Sequence, residues 1–175
     1  PGLASIVASG SVAVDNIYTL TDASMTDTDI NAGSEKAGNV KLEAISDTKV
    51  VTTADALSIN VGLGKVAVDA MATVAKVNSD ADTTAGIYGK EKDNTATQNV
   101  KNETVKADSK NKITNVAVGL NGAGAAGLAS VGVLANVAIN KIANDTKAEV
   151  SNANISADNL GVLAVSNEKL HNYGG

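Results

Sequence analysis

The sequence lacks Cys, Trp, Phe and Arg altogether, and it contains a single Pro and a single His. Its only aromatic residues are three tyrosines. Without Cys, the chain can form no disulfide scaffold, no thiol active site and no Cys-based zinc site. A net charge of −5, the absence of Arg and the scarcity of rings for base stacking argue against a nucleic-acid-binding protein.

What the sequence does contain is small and apolar. Of its 175 residues, 43% are hydrophobic, nearly all Val, Ala, Ile and Leu, and 16 are Gly. This content is too apolar for a disordered chain, and it lacks the large rings on which globular cores usually depend. The absence of Cys fits an exported protein. The chain begins at Pro1 in mid-pattern with no visible signal peptide, so we expect a fragment of something longer.

An internal repeat organises the chain. Residues 2–32 align without a gap on residues 127–157, with 11 of 31 positions identical. After a five-residue deletion the match resumes, with 40–46 on 160–166. A weaker middle copy aligns at an offset of 63, which gives a unit of 62–63 residues. We predict units at about 2–63, 64–126 and 127–175, with an excursion loop over the polar stretch 89–112.

Within each unit, apolar residues alternate with others over short runs, which is the period of a β-strand. The runs are Val12-x-Val14, Val40-x-Leu42-x-Ala44, Leu57-x-Ile59-x-Val61-x-Leu63, the run from Val66 to Val74, and Val116-x-Val118-x-Leu120. Polar clusters at 31–39, 80–82 and 108–111 indicate turns.

Short strands, small residues and a long repeat predict an all-β fold, a parallel β-helix or β-solenoid in one segment, 1–175. We expect coils of about 20 residues, and hence about three coils in each unit. The alternating Val, Ile, Leu and Ala residues would fill a narrow interior. Solenoid ends expose unpaired strand edges, so we expect the rod to continue or to stack on another subunit.

The repeat unit resembles a known family. It reads Gly-Leu-Ala-Ser-Val-x-Val-x-x-Asn-Val-Ala-Ile-Asn over 127–140, followed by Asp-Thr-Lys-Ala-Glu-Val at 145–150, Ile-Ser-Ala at 155–157 and Val-Leu-Ala-Val-Ser-Asn at 162–167. This pattern resembles the repeats of secreted filamentous adhesins, above all the leukotoxin-type filamentous adhesins of anaerobic bacteria, which are related in build to filamentous haemagglutinins. The resemblance is best in 2–50 and 113–175. It implies a right-handed parallel β-helix, export to the bacterial cell surface and an attachment or surface-layer function, and it transfers no catalytic residues.

Two glycine-rich or apolar segments allow other interpretations. The run Gly122-Ala123-Gly124-Ala125-Ala126-Gly127 has the GxGxxG form of a dinucleotide-binding turn. The intervening 119–121 makes that turn too long, so small residues at a solenoid corner are the preferred interpretation. The uncharged run 113–140 is long enough to span a membrane, but its Asn, Ser, Thr and five Gly residues favour stacked interior strands instead.

Candidate ligands are sparse. His171 has no metal-ligand spacing around it, and we predict a solvated turn histidine. Asp22, Asp27 and Asp29, or Asp80 and Asp82, could bind calcium at a turn, but no calcium-binding repeat is present. A carbohydrate-active β-helix enzyme would need clustered groove carboxylates, whereas the acidic residues here are scattered.

The sequence therefore predicts a structural or adhesive segment of an extracellular bacterial surface fibre that stacks end to end as a rod. The expected partners are adjacent repeats or subunits and a host-cell or matrix surface, with no nucleic acid and no membrane span. We expect no enzyme activity and no catalytic, cofactor or metal residues. The alternatives are a carbohydrate-active parallel β-helix enzyme and a dinucleotide-binding domain.

Overall fold

The computed structural model describes residues 4–31, 33–62, 65–90, 96–127 and 129–175, and this part of the chain contains strands, their connections and no helix. Val, Ile and Thr, which suit pleated backbone, recur throughout the strands. The strands are β1 (Ala4–Thr26), β2 (Ile30–Asn31), β3 (Ala37–Gly62), β4 (Val66–Tyr88), β5 (Ala96–Ala125), β6 (Ala129–Ile142), β7 (Asp145–Ser151) and β8 (Ala153–Gly174).

The strands form two sheets in which every described pairing is parallel. In the first sheet β4 lies between β1 and the successive strands β6 and β7. In the second sheet β5 lies between β8 and the strands β2 and β3. The chain alternates between the sheets and so makes three stacked coils: β1–β3, β4–β5 and β6–β8. The predicted all-β, parallel solenoid architecture is confirmed.

Each coil is much larger than we expected. Ala4 pairs with Val66, and Val66 pairs with Ala129, so one circuit in the first sheet takes one whole repeat unit. The expectation of short coils, about three to a unit, is therefore wrong. The strands β1, β3, β4 and β5 run for 23 to 30 residues because the polar clusters at 80–82 and 108–111 do not interrupt them. Residues 33–36, in the cluster at 31–39, separate the short strand β2 from β3.

Two of the predicted turns lie inside strands. Asp80 and Asp82 are exposed on the outside of β4 while Ala81 between them is fully buried, so the charged cluster alternates as one solvated face of a strand. Residues 108–111 lie in β5. The predicted excursion loop at 89–112 is also wrong over 96–112, where β5 pairs with both β3 and β8; residues 91–95 lie outside the described residues.

The connections from the first sheet to the second occupy equivalent positions in the three coils. Asp27 and Asn152 both have a positive φ, near 50°, which Asp and Asn tolerate better than most residues. Asp27 N donates to the Tyr88 carbonyl at 2.8 Å, and Gly89 N donates to the Ser151 carbonyl at 3.0 Å. The connection after Asn152 is the shortest, which accounts for the five-residue deletion seen in the repeat.

The two sheets pack face to face, and the space between them is narrow. A Cβ atom on Gly119 would approach Met71 Cε to 2.6 Å and Leu134 Cδ1 to 2.8 Å. Many inward residues of the middle coil are small or polar, with Met71, Val77 and Ile113 as larger exceptions. Fully buried small or polar examples are Ala67, Asp69, Thr73, Ala75, Asn115 and Ala117. The interior therefore differs from the Val-, Ile- and Leu-filled core that the alternation suggested.

Most of the predicted interior rows face outward. Only Val40-x-Leu42-x-Ala44 turns inward, whereas Val12, Leu57, Ile59, Val61 and Leu120 are between 65% and 74% exposed. The expectation that these rows fill the interior is wrong, because the close approach of the sheets leaves room mainly for the smaller residues of the opposite row. A slip of one residue would exchange the two rows, so the hydrogen-bond register fixes this orientation.

The two ends of the coils differ. Near the connection from β4 to β5, which we call the charged end, Ala44, Ala85, Ile87, Val105 and Ala107 form an ordinary buried cluster. Near the connection from β3 to β4, which we call the apolar end, the inner rows are mostly small or polar, with Met71 buried among them, and the outer rows are apolar. Alanines alone form the buried cluster between the two ends: Ala54, Ala75 and Ala117.

Neighbouring residues in β3 test this orientation. Ala54 is 1% exposed and faces Ala75 and Ala117, whereas Thr53 is exposed. We expect Ala54→Leu to lower the free energy of unfolding by about 1–3 kcal/mol through overpacking. Thr53→Leu should change it by less than about 0.5 kcal/mol. Chemical denaturation of both variants measures the difference, and equal effects would contradict the assigned orientation.

Candidate functional site

The open edges of the first and last coils are the candidate functional site. In the described part of the chain, the strands β1 and β3 pair through their backbones only with the middle coil, and so do β6, β7 and β8. Each edge thus presents a long row of backbone N–H and C=O groups on its free side. Such rows are templates for pairing with another strand.

A row of three Asn side chains runs across the second sheet from one edge to the other. Asn159 Nδ2 donates to Asn102 Oδ1 at 2.8 Å, and Asn102 Nδ2 donates to Asn39 Oδ1 at 2.6 Å. The row is directional, because each coil donates to the coil before it. It leaves the Asn39 amide donors at one edge and Asn159 Oδ1 at the other edge without a side-chain partner in the described chain.

A second row in the first sheet has the same direction. Asn78 Nδ2 donates to Asn16 Oδ1 at 2.7 Å. The third coil places Lys141 next to Asn78 in this row. Both rows lie on the solvent side of the sheets, and both end at the open edges. The sequence analysis missed them, although the Asn residues of each row are easily matched once the pairing register is known.

Polar side chains in the interior tie the two sheets together. Ser58 Oγ of β3 donates to Asp69 of β4, at 2.7 and 2.8 Å from its two carboxylate oxygens. Asn115 Nδ2 of β5 donates to the carbonyls of Ala75 and Ile139, each at 2.9 Å. These bonds satisfy the Asp69 carboxylate and the Asn115 amide donors that burial removes from water, whereas Asn115 Oδ1 has no partner among the described residues.

Glu103 is a buried carboxylic acid that lacks such bonds. Its side chain is 1% exposed, and neither carboxyl oxygen has a hydrogen-bond partner among the described residues. Val40 and Leu160 are its pairing partners in the neighbouring coils. Burial raises the pKa of the Glu103 carboxyl above its ordinary value, because the charged form loses its hydration.

Ion pairs cluster on the outside of the charged end. Lys106 Nζ lies 2.8 Å from Asp108 Oδ2, and this bond lowers the pKa of Asp108. Lys147 Nζ lies 2.5 Å from Glu149 Oε2 and lowers the pKa of Glu149 in the same way. Burial, followed by a hydrogen bond with Glu149, raises the pKa of Tyr88. The Lys106–Asp108 pair is partly buried, with side-chain exposures of 26% and 12%, whereas the Lys147–Glu149 pair is more open to solvent, at 53% and 28%.

A column of lysines lies on the outer face of the second sheet. Lys49 pairs in register with Lys112, which pairs with Lys169, so one lysine of each coil occupies the column. All three are exposed. Within the described chain none of them makes an ion pair, and stacking like charges at strand spacing is unfavourable on its own.

The glycine-rich run does not have the structure of a dinucleotide-binding turn. Residues 122–125 continue β5 and pair with 59–62 of β3, and the strand β6 follows where a helix would be needed. The corner itself comes later, at Ala126, whose N–H donates to the Gly62 carbonyl at 3.1 Å. Residues 113–125 and 129–140 of the long uncharged run lie in β5 and β6, and no helix in the described part is long and apolar enough to cross a membrane.

The candidate metal ligands do not come together. Asp29 Oδ1 accepts a hydrogen bond from Thr97 N at 2.8 Å, and Asp27 pairs with Lys90 at 3.8 Å. Across the described ranges there is no group of three or more His, Asp or Glu side chains suited to a metal ion. His171 lies on β8 rather than at the predicted turn, with its ring stacked on Tyr173 at 6.4 Å between centroids.

Comparisons with known proteins returned no match to a family model, to a curated protein or to a solved structure.

Glu103 predicts a pH dependence of stability. Because the pKa of the Glu103 carboxyl is raised in the folded state, ionisation costs no stability at low pH, where the carboxyl is protonated in both the folded and the unfolded state. The loss of stability develops as the pH rises from the ordinary carboxyl pKa, about 4, through the raised pKa of the folded state. We expect Glu103→Gln to remove this loss, and Glu103→Leu to raise the free energy of unfolding at pH 7 by about 1–3 kcal/mol. Denaturation from pH 4 to 8 measures both, with the exposed Glu35→Gln as the control; a Glu103→Gln curve parallel to the parent curve would contradict the assignment.

Proposed function

We propose that this chain is a structural and adhesive segment of an extracellular bacterial filamentous adhesin or surface fibre, in which coils stack end to end to form a rod. The single observation that carries the proposal is the pair of open parallel edges. Backbone groups along β1, β3, β6 and β8 are free for pairing over most of the coil width. The partner can be a further coil of a longer chain or the first coil of another copy.

The side-chain rows support stacking in one orientation. If the first coil of a second copy follows the third coil, its Asn39 amide can donate to Asn159 Oδ1 and continue the row of Asn bonds. The internal repeat favours the same register, since residues 2–32 match 127–157. Each added coil would then advance the rod by about 4.8 Å, the spacing of paired strands.

The adhesive part of the proposal rests on the resemblance to filamentous adhesins and on the repetition of the outer surface. A side chain that recurs in each coil presents the same contact at strand spacing along the rod. The column formed by Lys49, Lys112 and Lys169 is one such repeated contact, and it would suit an anionic host-cell or matrix surface. Weak contacts repeated on one rigid object bind together with much higher avidity than any one of them.

Electron microscopy of the native, untruncated protein tests the rod directly. We expect thin rods or fibres with a diffraction repeat of about 4.8 Å along the axis. Compact globular particles would contradict the proposal.

Two substitutions with the same change of charge test the stacking register. Asn39→Asp keeps the oxygen that accepts from Asn102 but replaces the outward donor with a carboxylate that would face Asn159 Oδ1. Asn16→Asp keeps its bond from Asn78 and places a carboxylate where the preceding copy has Lys141. We expect at least a tenfold reduction in end-to-end assembly for Asn39→Asp and an increase for Asn16→Asp, as an isolated close charge contributes about 1 kcal/mol or more.

Light scattering and length distributions from micrographs measure this assembly. The paired design separates register from net charge, because both variants add one negative charge at the same edge. Changes of the same sign in both variants would contradict the proposed register.

A further inference from the structure

An uncharged apolar surface covers the outside of the first sheet at the apolar end. It contains only Gly, Ala, Val and Ile, in five columns that cross the three coils. We call it face A: Ala4, Val66 and Ala129; Ile6, Val68 and Val131; Ala8, Ala70 and Val133; Gly10, Ala72 and Ala135; Val12, Val74 and Val137. Ile6 is 75% exposed and Val12 71% exposed, so branched side chains stand in water with little cover.

Face A cannot be covered by exchanging the inner and outer rows. The opposite row holds Asp69 and Thr73, which are fully buried and bonded to Ser58 and Asn136. Turning that row outward would break these bonds and place branched residues in the space that Ala54, Ala75 and Ala117 now fill. Whatever covers face A must therefore come from outside the coils.

The columns of face A differ in size, and two of them are complementary. Ile6/Val68/Val131 contains only branched residues, whereas Gly10/Ala72/Ala135 contains only Gly and Ala. Val12/Val74/Val137 is also branched throughout, and the remaining two columns are mixed, since each contains one Val (Val66 or Val133) among alanines. A second copy turned about an axis over the Ala8/Ala70/Val133 column sets the large column Ile6/Val68/Val131 against the small column Gly10/Ala72/Ala135, and sets the Val12 column against the mixed Ala4 column.

We propose that face A is a lateral interface between two copies of this chain, related by a two-fold axis that runs along the solenoid over Ala70. The two rods lie side by side with parallel axes and antiparallel strands, and their sheets pack at about 10 Å. The column Ile6/Val68/Val131 of one copy enters the groove Gly10/Ala72/Ala135 of the other. Parallel axes leave the coil edges of both copies free, so this interface rests on the fold and is independent of end-to-end stacking.

The area of face A sets the expected strength. Nine residues at about 3.3 Å and three strands at about 4.8 Å give a projected area of roughly 400 Å² per copy. This is comparable to the largest apolar patch on a monomeric protein, and about half of what each partner buries in a standard stable interface. Three coils therefore form a weak, concentration-dependent pair, and a rod with twice as many coils reaches the standard size.

The surface suits protein better than lipid. Proteins that sit at membrane interfaces typically place Trp and Tyr at the headgroup level. This chain has no Trp, and face A contains no Tyr. Packing against a rigid partner sheet requires a fixed pattern of large and small columns, whereas contact with a fluid bilayer does not.

Cysteine cross-linking tests the interface, because the natural chain has no Cys. Ala70→Cys places a thiol on the proposed axis, on an exposed position of the middle coil. Ala143→Cys is the matched control, since Ala143 is exposed on the same side of the first sheet but outside face A. Under mild oxidation we expect Ala70→Cys to give at least tenfold more disulfide-linked dimer than Ala143→Cys.

A second variant keeps the test independent of thiol reactivity. Ala72→Leu fills the groove from the outside without entering the interior, and in sedimentation equilibrium it should weaken pairing at least tenfold while the circular dichroism spectrum stays unchanged.

Equal cross-linking at the two Cys positions would overturn the proposal. The proposal would also be overturned if the chain were monomeric in solution and floated with phosphatidylcholine vesicles, because that result would assign face A to lipid binding. Asn39→Asp should leave the Ala70→Cys yield unchanged, so a failure of end-to-end stacking is distinguishable from a failure of this interface.

Discussion

Parallel hydrogen bonding between coils, in a register of one repeat unit within the first sheet, is the constraint on which the rest of this structure depends. It places equivalent residues of successive coils directly beside one another at about 4.8 Å. Every surface property therefore becomes a column. Asn residues become hydrogen-bonded rows, lysines become a line of charge, and valines become ridges. A feature with little effect in one coil acquires its effect through repetition.

The close approach of the two sheets is the second constraint, and it decides which rows are buried. Three alanines form the central cluster, and Gly119 lies against the side-chain ends of Met71, Leu134 and Asn136. Large branched residues are buried together near the charged end, where Ile87 and Val105 pack, and singly at Val77 and Ile113. At the apolar end they face outward, which raises the exposed apolar area above what a solitary rod would favour. The surface of this solenoid thus follows from the width of its interior.

The polar interior has a cost that hydrogen bonds mostly offset. Asp69, Asn60 and Asn115 each bond across the space between the sheets, so their burial also fixes how the sheets align. Glu103 is different, since it has lost its water and gained no partner among the described residues. Natural chains keep such groups only where stability is in excess or where the group has a use, and the raised pKa leaves the carboxyl protonated more readily.

The sequence by itself determined the strand character, the parallel stacking and the repeat, because period-two alternation and a constant offset between matching segments are local and countable properties. It did not determine where the strands end, because the polar clusters at 80–82 and 108–111 lie inside β4 and β5. The sequence also located the five-residue deletion in the third unit, since Val40 aligns with Leu160 and both residues pair with Glu103 in the structure. Only the tertiary structure decided that one unit is one coil, because a repeat length fixes how far apart equivalent residues lie but not how many coils separate them. It alone also decided that Val12 and Leu57 face outward. Alternation marks two rows without saying which is buried, and the spacing between the sheets makes that choice.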